Sequence, residues 1–436
     1  MENIIKSFWD RNKIILKSFF IGMLVLLLLI PTAFIQSLVT ERQSRQQEAV
    51  SEISSKWAGP QTVTGPVIGI PYKEMTTHDN NTTEVKKWAY FLPDKLDMQA
   101  RIVPEKRYRG IYQVIVYTAE LQIKGSYDSL RLTELGIQPD QILWNEAAVF
   151  FDISDVQGLK EEVSLHLAGA SLDLIPAKFS TDQFKNSLSA ALPAAIASTH
   201  GPLEFSATVE LKGSGNLLFV PAGKTTTVKT NSSWPDPSFA GSYLPDVRTV
   251  KDSGFEADWR VLYLNRNFPQ QWKDNQYDLN KTSFGVSLIV PVDSYQQTTR
   301  SVKYSILIIL LTFTAFFLIE WVYRKAIHSF QYVLVGFALC LFYTLLLSFS
   351  EYIGFNKAYL VAAMATMLLI AWYVRSILRS SKMALFIGML LTLLYGFIFI
   401  LIQLQDYALL MGSIGLFITL GIVMYFSRKI KWTEEK

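Results

Sequence analysis

Cysteine is almost missing from this 436-residue chain: Cys340 stands alone. No intrachain disulfide can form and no cysteine-based metal cluster can be built, so any part of the chain exported from the cytosol must be held by its core alone. Charge is scarce too. Asp, Glu, Lys and Arg make up 18% of the residues, against roughly 25% in soluble globular proteins, while half of the chain is apolar. That balance excludes a disordered chain and argues against a purely soluble one. The formal net charge is only +4. Basic residues are scattered except beside apolar runs, which argues against a nucleic-acid partner.

Motifs for metal binding and catalysis are thin. The histidines are His78, His166, His200 and His328, and no two lie at the spacing of a helical zinc site. His78 and His200 sit among turn formers, and His328 in a basic loop. Pro221-Ala-Gly-Lys-Thr225 ends like a phosphate loop, but Leu218 stands where the first glycine is needed and no helical pattern follows. A hairpin turn is the better reading. No Gly-x-Ser-x-Gly elbow occurs. A hydrolase of peptidoglycan or lipid would need a carboxylate pair, and Asp152 with Asp155 is the pair to check; a strand-end turn is the favoured reading there. No catalytic, cofactor-binding or metal-binding residue is assigned, no cofactor is expected, and the chain reads as not an enzyme.

What is present is apolar length. One run spans about 19–39, and five more fill the last third, at about 302–323, 330–349, 358–374, 383–404 and 407–426. Each has the length an α-helix needs to cross roughly 30 Å of hydrocarbon, and each is apolar on nearly every face. They predict six transmembrane helices, with the lipid bilayer as a partner. Lys6, Arg11, Lys13 and Lys17 precede the first run, Arg324 and Lys325 follow the second, Arg375, Arg379 and Lys382 follow the fourth, and Arg428, Lys429, Lys431 and Lys436 follow the last. Alternate connections are almost free of such residues. By the positive-inside rule both termini face the cytoplasm and the long stretch after the first helix faces out. A cleaved signal peptide is the alternative for the first run, but no good small-x-small site follows Pro31. An uncleaved anchor is favoured, continuing as a helical stalk that stops before Gly59-Pro60.

The expected organisation is a cytoplasmic N-terminus over 1–18, a first transmembrane helix over 19–39, a β-rich domain over 40–300, a five-helix bundle over 301–426 and a cytoplasmic tail over 427–436. Within the β-rich domain, period-two patterns at 67–71, 89–92, 111–117, 120–123, 149–153, 206–212, 217–220, 225–230, 257–264 and 285–290 read as short strands. Asp182–Leu192 reads as a helix from Phe184, Leu188 and Leu192 at fourfold spacing. Strands without alternating helices predict a mainly antiparallel sandwich, or two lobes of one.

Two sets of residues are singled out. In Ser232-Ser-Trp-Pro-Asp-Pro-Ser-Phe239-Ala-Gly241, two prolines stiffen a bend around Asp236 that carries Trp234 and Phe239. It is either a preorganised partner surface or a loop whose aromatics plug the core; the plug is favoured, for Phe239 more than for Trp234. Glu320, Glu351 and Asp406 fall at the ends of apolar runs, where side chains reach water, and read as interfacial. Hydroxyls within the runs, at Thr312, Thr314, Thr344, Thr366 and Thr392, can bond to their own helices.

Ordered segments along nearly the whole chain resemble one family. They include Glu41-Arg-Gln-Ser-Arg45, Gly65-Pro66-Val67, Ile70-Pro71-Tyr72, Arg109-Gly-Ile-Tyr112, Ser233-Trp-Pro-Asp-Pro-Ser-Phe239-Ala-Gly, Gly254-Phe-Glu-Ala-Asp-Trp259, Phe284-Gly-Val286, Pro291-Val-Asp-Ser-Tyr295, Leu345 through Phe355, and Ala408-Leu-Leu-Met-Gly412. The chain is similar in these to the CreD inner-membrane proteins, departing at Ala222. The resemblance implies an inner-membrane protein of a Gram-negative bacterium, tied to envelope maintenance, colicin tolerance and a stress-responsive two-component regulon. It supplies no catalytic residues. The function expected is non-enzymatic support of the envelope, with an unknown envelope component or protein bound on the periplasmic side. The alternative is a transporter or lipid-handling protein using a cavity in the bundle.

Overall fold

The computed structural model describes residues 13–78, 81–179, 181–185, 187–197, 201–274, 276–288, 294–323, 327–404 and 407–427. The chain divides into two compact units. One joins Met1–Gln47 to Val292–Lys436, and the other is Glu48–Pro291.

The first unit is helical. Helix α1 (Lys13–Trp57) is continuous through Pro31. At 1.5 Å per residue its 45 residues reach about 68 Å, far more than a bilayer needs, and it ends where the stalk was expected to end. A short α2 (Ala194–Ala197) belongs to the β-rich unit. The rest follow in the last third: α3 (Ser294–Lys303), α4 (Ser305–Tyr323), α5 (Ser329–Ile353), α6 (Phe355–Leu378), α7 (Ser381–Gln403) and α8 (Ala408–Ser427).

Four helices among the described residues are long and apolar enough to cross a membrane, or five if α3 and α4, bent by 41°, count as one. The described part of α8 lies on the sixth predicted run but does not add to that number. The second predicted run also begins differently. A separate polar helix, α3, precedes it and buries Tyr295, Thr298, Ser301 and Val302 on one face. The end of α5 near the N-terminus is capped by His328, whose Nδ1 accepts the Phe330 N–H at 3.2 Å while Gln331 Oε1 accepts the His328 N–H at 3.0 Å. His328 thus closes a capping box.

The second unit is a single sheet of sixteen strands. In chain order they are β1 (Gln61–His78), β2 (Asn81–Phe91), β3 (Lys95–Arg109), β4 (Tyr112–Tyr127), β5 (Ala148–Ile153), β6 (Val163–Leu167), β7 (Ala170–Pro176), β8 (Leu188–Ala191), β9 (Leu203–Ser214), β10 (Asn216–Phe219), β11 (Thr225–Ser232), β12 (Pro237–Gly241), β13 (Val247–Lys251), β14 (Gly254–Leu262), β15 (Gln271–Lys273) and β16 (Phe284–Leu288). Hydrogen bonds connect them in the order β12-β16-β10-β1-β5-β8-β7-β6-β9-β4-β3-β11-β14-β13, with β2 on β1 and β15 on β2. Pairing is antiparallel except between β1 and β10 and between β3 and β11.

A sandwich of two separate sheets was expected. The path instead stays continuous because β7 pairs with β6 on one edge and β8 on the other. Its ends curl together: Phe239 on β12 packs edge-on against Phe255 and Trp259 of β14, at ring distances of 6.0 and 5.8 Å. The shape is barrel-like, and one buried apolar cluster draws on strands from β1 to β16. Asp182–Leu192 is not a helix. Leu188–Ala191 forms β8 between β5 and β7, because residues spaced by four also share a strand face.

The end of α1 that belongs to this unit is tied down. The Trp57 ring lies under two cations, the Arg107 guanidinium at 4.9 Å and Lys212 Nζ at 4.7 Å, and Ser54 and Ser214 share a 2.8 Å hydrogen bond.

Candidate functional site

The bend carrying Trp234 and Phe239 folds as the last turn before an edge strand. Pro237 opens β12, which pairs only with β16, so its missing N–H falls where no ladder bond is needed. Trp234 is the buried aromatic, 7% exposed, and its indole N–H donates to the Asp236 carbonyl at 3.0 Å. That bond meets the need that made its burial doubtful from sequence. Asp236 itself is exposed. Phe239 is half-buried and completes its contacts with the Arg248 guanidinium, 5.8 Å from the ring. Trp234 fills the core, while Phe239, the ring expected to be the surer plug, packs against the core only in part and also floors a surface groove.

That groove measures about 530 Å³ and is lined by Pro237, Ser238, Phe239, Leu244, Arg248 and Val250. Leu244 is 71% exposed, Val247 63% and Val250 48%. Every residue of β13, the far end of the strand path, is exposed. An apolar floor, exposed aliphatics, one guanidinium and two open strand edges can seat an extended chain or a lipid-like group. Gly241 fixes the geometry at the end of β12. Its φ is +96°, and a Cβ there would lie 2.2 Å from the Ser283 carbonyl oxygen.

The two glutamates singled out in the helical unit, Glu320 and Glu351, are both tied to α1. Glu320 pairs with Lys17, which also donates to the Ile327 carbonyl at 2.7 Å, and accepts from the Tyr332 hydroxyl at 3.1 Å. Glu351 lies 3.8 Å from Arg42 and accepts from the Tyr295 hydroxyl at 3.0 Å. Asp406, and Arg324 beside which Glu320 was placed from sequence, lie outside the described residues. Thr314 and Thr392 bond to carbonyls one turn back, at 2.8 Å each, whereas the buried Thr312 hydroxyl has no partner among the described residues.

The remaining candidates separate. Asp155 caps a short turn, accepting the Gly59 and Gln157 N–H groups at 2.8 and 3.0 Å. Asp152 points away into a polar cavity, and burial raises its carboxyl above the usual range. His166 is exposed on β6, His200 lies outside the described residues, and no group of three His, Cys, Asp or Glu among the described residues could hold a metal ion. Sequence reading missed Arg266, because nothing local marks it. It is buried, donates to the Pro221 and Ala222 carbonyls at 3.0 Å each and to Gln270, and its desolvated guanidinium is lowered to about 10. It holds the turn that resembles a phosphate loop, so that turn is a structural strut.

The profile of the family described as "Inner membrane protein CreD" matches residues 13–433. A relative of that description from Escherichia coli (strain K12) is 32% identical over 415 residues, which is 94% of this chain and 91% of the relative.

Proposed function

The chain belongs to the CreD family of inner membrane proteins, and from that premise we propose that it supports cell envelope integrity, stress and colicin tolerance without catalysing a reaction. The β-rich unit acts on the periplasmic side, six helices span the inner membrane, and both termini lie in the cytoplasm. The observation that carries this reading is the groove at Phe239. Exposed Leu244 and Val250, which line it, form an apolar patch of the kind that marks interaction sites. The partner is an envelope component or protein seated there.

The test replaces Leu244 and Val250 by Glu in the chromosomal copy. Envelope tolerance should fall to the level of a deletion strain while the amount of chain in the membrane stays unchanged. Full tolerance with both charges in place sinks the reading.

A second reading, a transporter or lipid-handling protein with a cavity in its bundle, is favoured by one observation. Tyr343 and Tyr395, packed on Phe342 at 4.8 and 4.7 Å, keep their hydroxyls fully buried and unpartnered among the described residues. Such groups are costly in hydrocarbon and collect where a polar ligand or water passes. Loss of tolerance on Tyr343→Phe with Tyr395→Phe, and none on the groove charges, would favour it.

A further inference from the structure

Strand β13 is a free end of the strand path. Among the described residues it pairs with β14 and with no other strand, and all five of its residues are exposed. Its outer edge offers a row of backbone N–H and C=O groups that the sheet does not use, and neither Pro nor Gly interrupts it.

A groove lies on each face of this edge. Register with β14 sets Arg248 and Val250 beside the buried Ala257 and Phe255, on the core side, and Thr249 beside the exposed Glu256, on the solvent side. The groove at Phe239 takes Arg248 and Val250. A second groove, of about 490 Å³, takes Thr249 and Lys251, together with Arg101 and the hydroxyls of Ser232 and Ser233. The two share no lining residue, and β13 contributes alternate side chains to each. An extended segment laid along the free edge directs its own alternate side chains to one groove and then to the other. Backbone pairing with side-chain pockets on alternate positions is how strand addition gains affinity and specificity together.

The chemistry of the two linings selects the occupant. On the core side Phe239, Leu244 and Val250 suit apolar side chains. On the solvent side stand Lys251 and Arg101, neither of them ion-paired among the described residues. Across both grooves the cations Arg101, Arg248 and Lys251 meet one lining carboxylate, Glu256. Of the acids flanking β13, Asp246 is held by the Arg260 N–H, which it accepts at 2.8 Å through Oδ2, and Asp252 lies in the turn to β14. Acidic side chains on the solvent-side face of an added strand complete this balance, and basic ones are repelled. A second copy of β13 fits poorly, because it brings another Arg248 and Lys251 to an edge that already carries both. A lipid headgroup brings no row of backbone donors and acceptors.

We propose that the free edge of β13 takes up an extended segment of a partner protein as an added strand, whose apolar residues enter the groove at Phe239 and alternate with acidic residues over Lys251 and Arg101. This rests on the reading of that groove as a partner site and names the kind of partner it fits.

The test is fluorescence anisotropy of the fluorescein-labelled peptide Val-Glu-Val-Glu-Val-Glu-Val-amide on the full chain in detergent micelles, with empty micelles as the blank. The peptide should bind saturably, at least about tenfold more tightly than the same peptide with Lys for every Glu. Of two further peptides, methylated on the Val or on the Glu nitrogens, one should lose binding and the other keep it, because a strand shows alternate N–H groups to each edge. Lys251→Glu should weaken the acidic peptide at least about tenfold and strengthen the basic one, in a variant that melts as the parent does; Arg101→Glu replaces it if it does not fold. The proposal is overturned if the acidic peptide does not saturate, if the acidic and basic peptides bind alike, if the two methylated peptides behave alike, or if the folded variant keeps the parent's preference. A dimer of the chain that Lys251→Glu dissociates, with no peptide bound, assigns the edge to a second copy and overturns it too. Loss of envelope tolerance on Leu244→Glu with Val250→Glu, without peptide binding, leaves the groove reading standing and strand addition refuted. Peptide binding as expected with tolerance untouched does the reverse.

Discussion

Arg42 Nε lies 3.8 Å from Glu351 Oε1, and 25 positions earlier on the same helix Lys17 is paired with Glu320. At 1.5 Å per residue the two basic residues are about 37 Å apart, slightly more than the roughly 30 Å of bilayer hydrocarbon. The first helix is thus fastened to the helices of the last third at two points about one membrane thickness apart. Each of the two glutamates keeps a cation partner on that helix.

The two members of the Arg42–Glu351 pair are unequal. Glu351 is 8% exposed and Arg42 41%. Removing the guanidinium leaves a buried carboxylate with, among the described residues, the Tyr295 hydroxyl, whereas Glu351→Gln leaves a neutral amide that still accepts from Tyr295 and an arginine that reaches water. Arg42→Ala should cost about 1–2 kcal/mol and Glu351→Gln less than half of that. Thermal melts of the purified chain in detergent would show it, and equal losses would mean the pair is not what holds Glu351.

Truncation at the bend should follow the observed burial and not the order expected from sequence. Trp234→Ala removes a core side chain and strands the Asp236 carbonyl contact, at about 3–5 kcal/mol. Phe239→Ala loses two edge-on ring contacts but only part of its buried area, at about 1–3 kcal/mol. A larger loss at Phe239 in denaturant melts would restore it as the core plug and leave the groove without its floor.

The ten period-two patterns read from sequence fall on β1, β2, β4, β5, β9, β10, β11, β14 and β16, because one buried face writes itself into alternation. Leu96, Met98, Ala100 and Ile102 of β3 alternate just as well with Lys95, Asp97, Gln99 and Arg101. The polar Pro104-Glu-Lys-Arg-Tyr-Arg109 that follows, exposed from Glu105 onward, disguises them as a loop, since that half gains its order from pairing with β4. The Trp234–Phe239 segment was legible as rigid and aromatic. Which ring faces inward was not, because that depends on β14, reached only through the loop and hairpin that follow. The cavity at Asp152 was invisible for the same reason on a larger scale: its opposite wall is more than 120 positions away.

Reporter fusions test the orientation. Lys and Arg cluster in alternate connections of the helical unit, so fusions after Lys325, Lys382 and Lys436 should report cytoplasm, and fusions near Gly223 and Gly354 periplasm. A cytoplasmic signal at Gly223, or an odd number of crossings, would remove the basis for a periplasmic role.

Acid should separate Asp152→Asn from the parent chain in a direction fixed by the shift at Asp152. Burial raises this carboxyl above its ordinary 3.8. The folded state therefore binds a proton more readily than the unfolded state does, and the site's favourable contribution is full below the unfolded value and lost as pH rises through the folded one. Asparagine is uncharged at every pH and close in shape. The variant should melt above the parent at about pH 7.5, and the gap should close toward about pH 4 as Asp152 takes up its proton. Other carboxylates titrate in both proteins and cancel in the difference. A gap of constant size would point to a packing effect of the amide, and a gap of opposite sign at neutral pH would mean that Asp152 is stabilised as an anion by a partner within the protein.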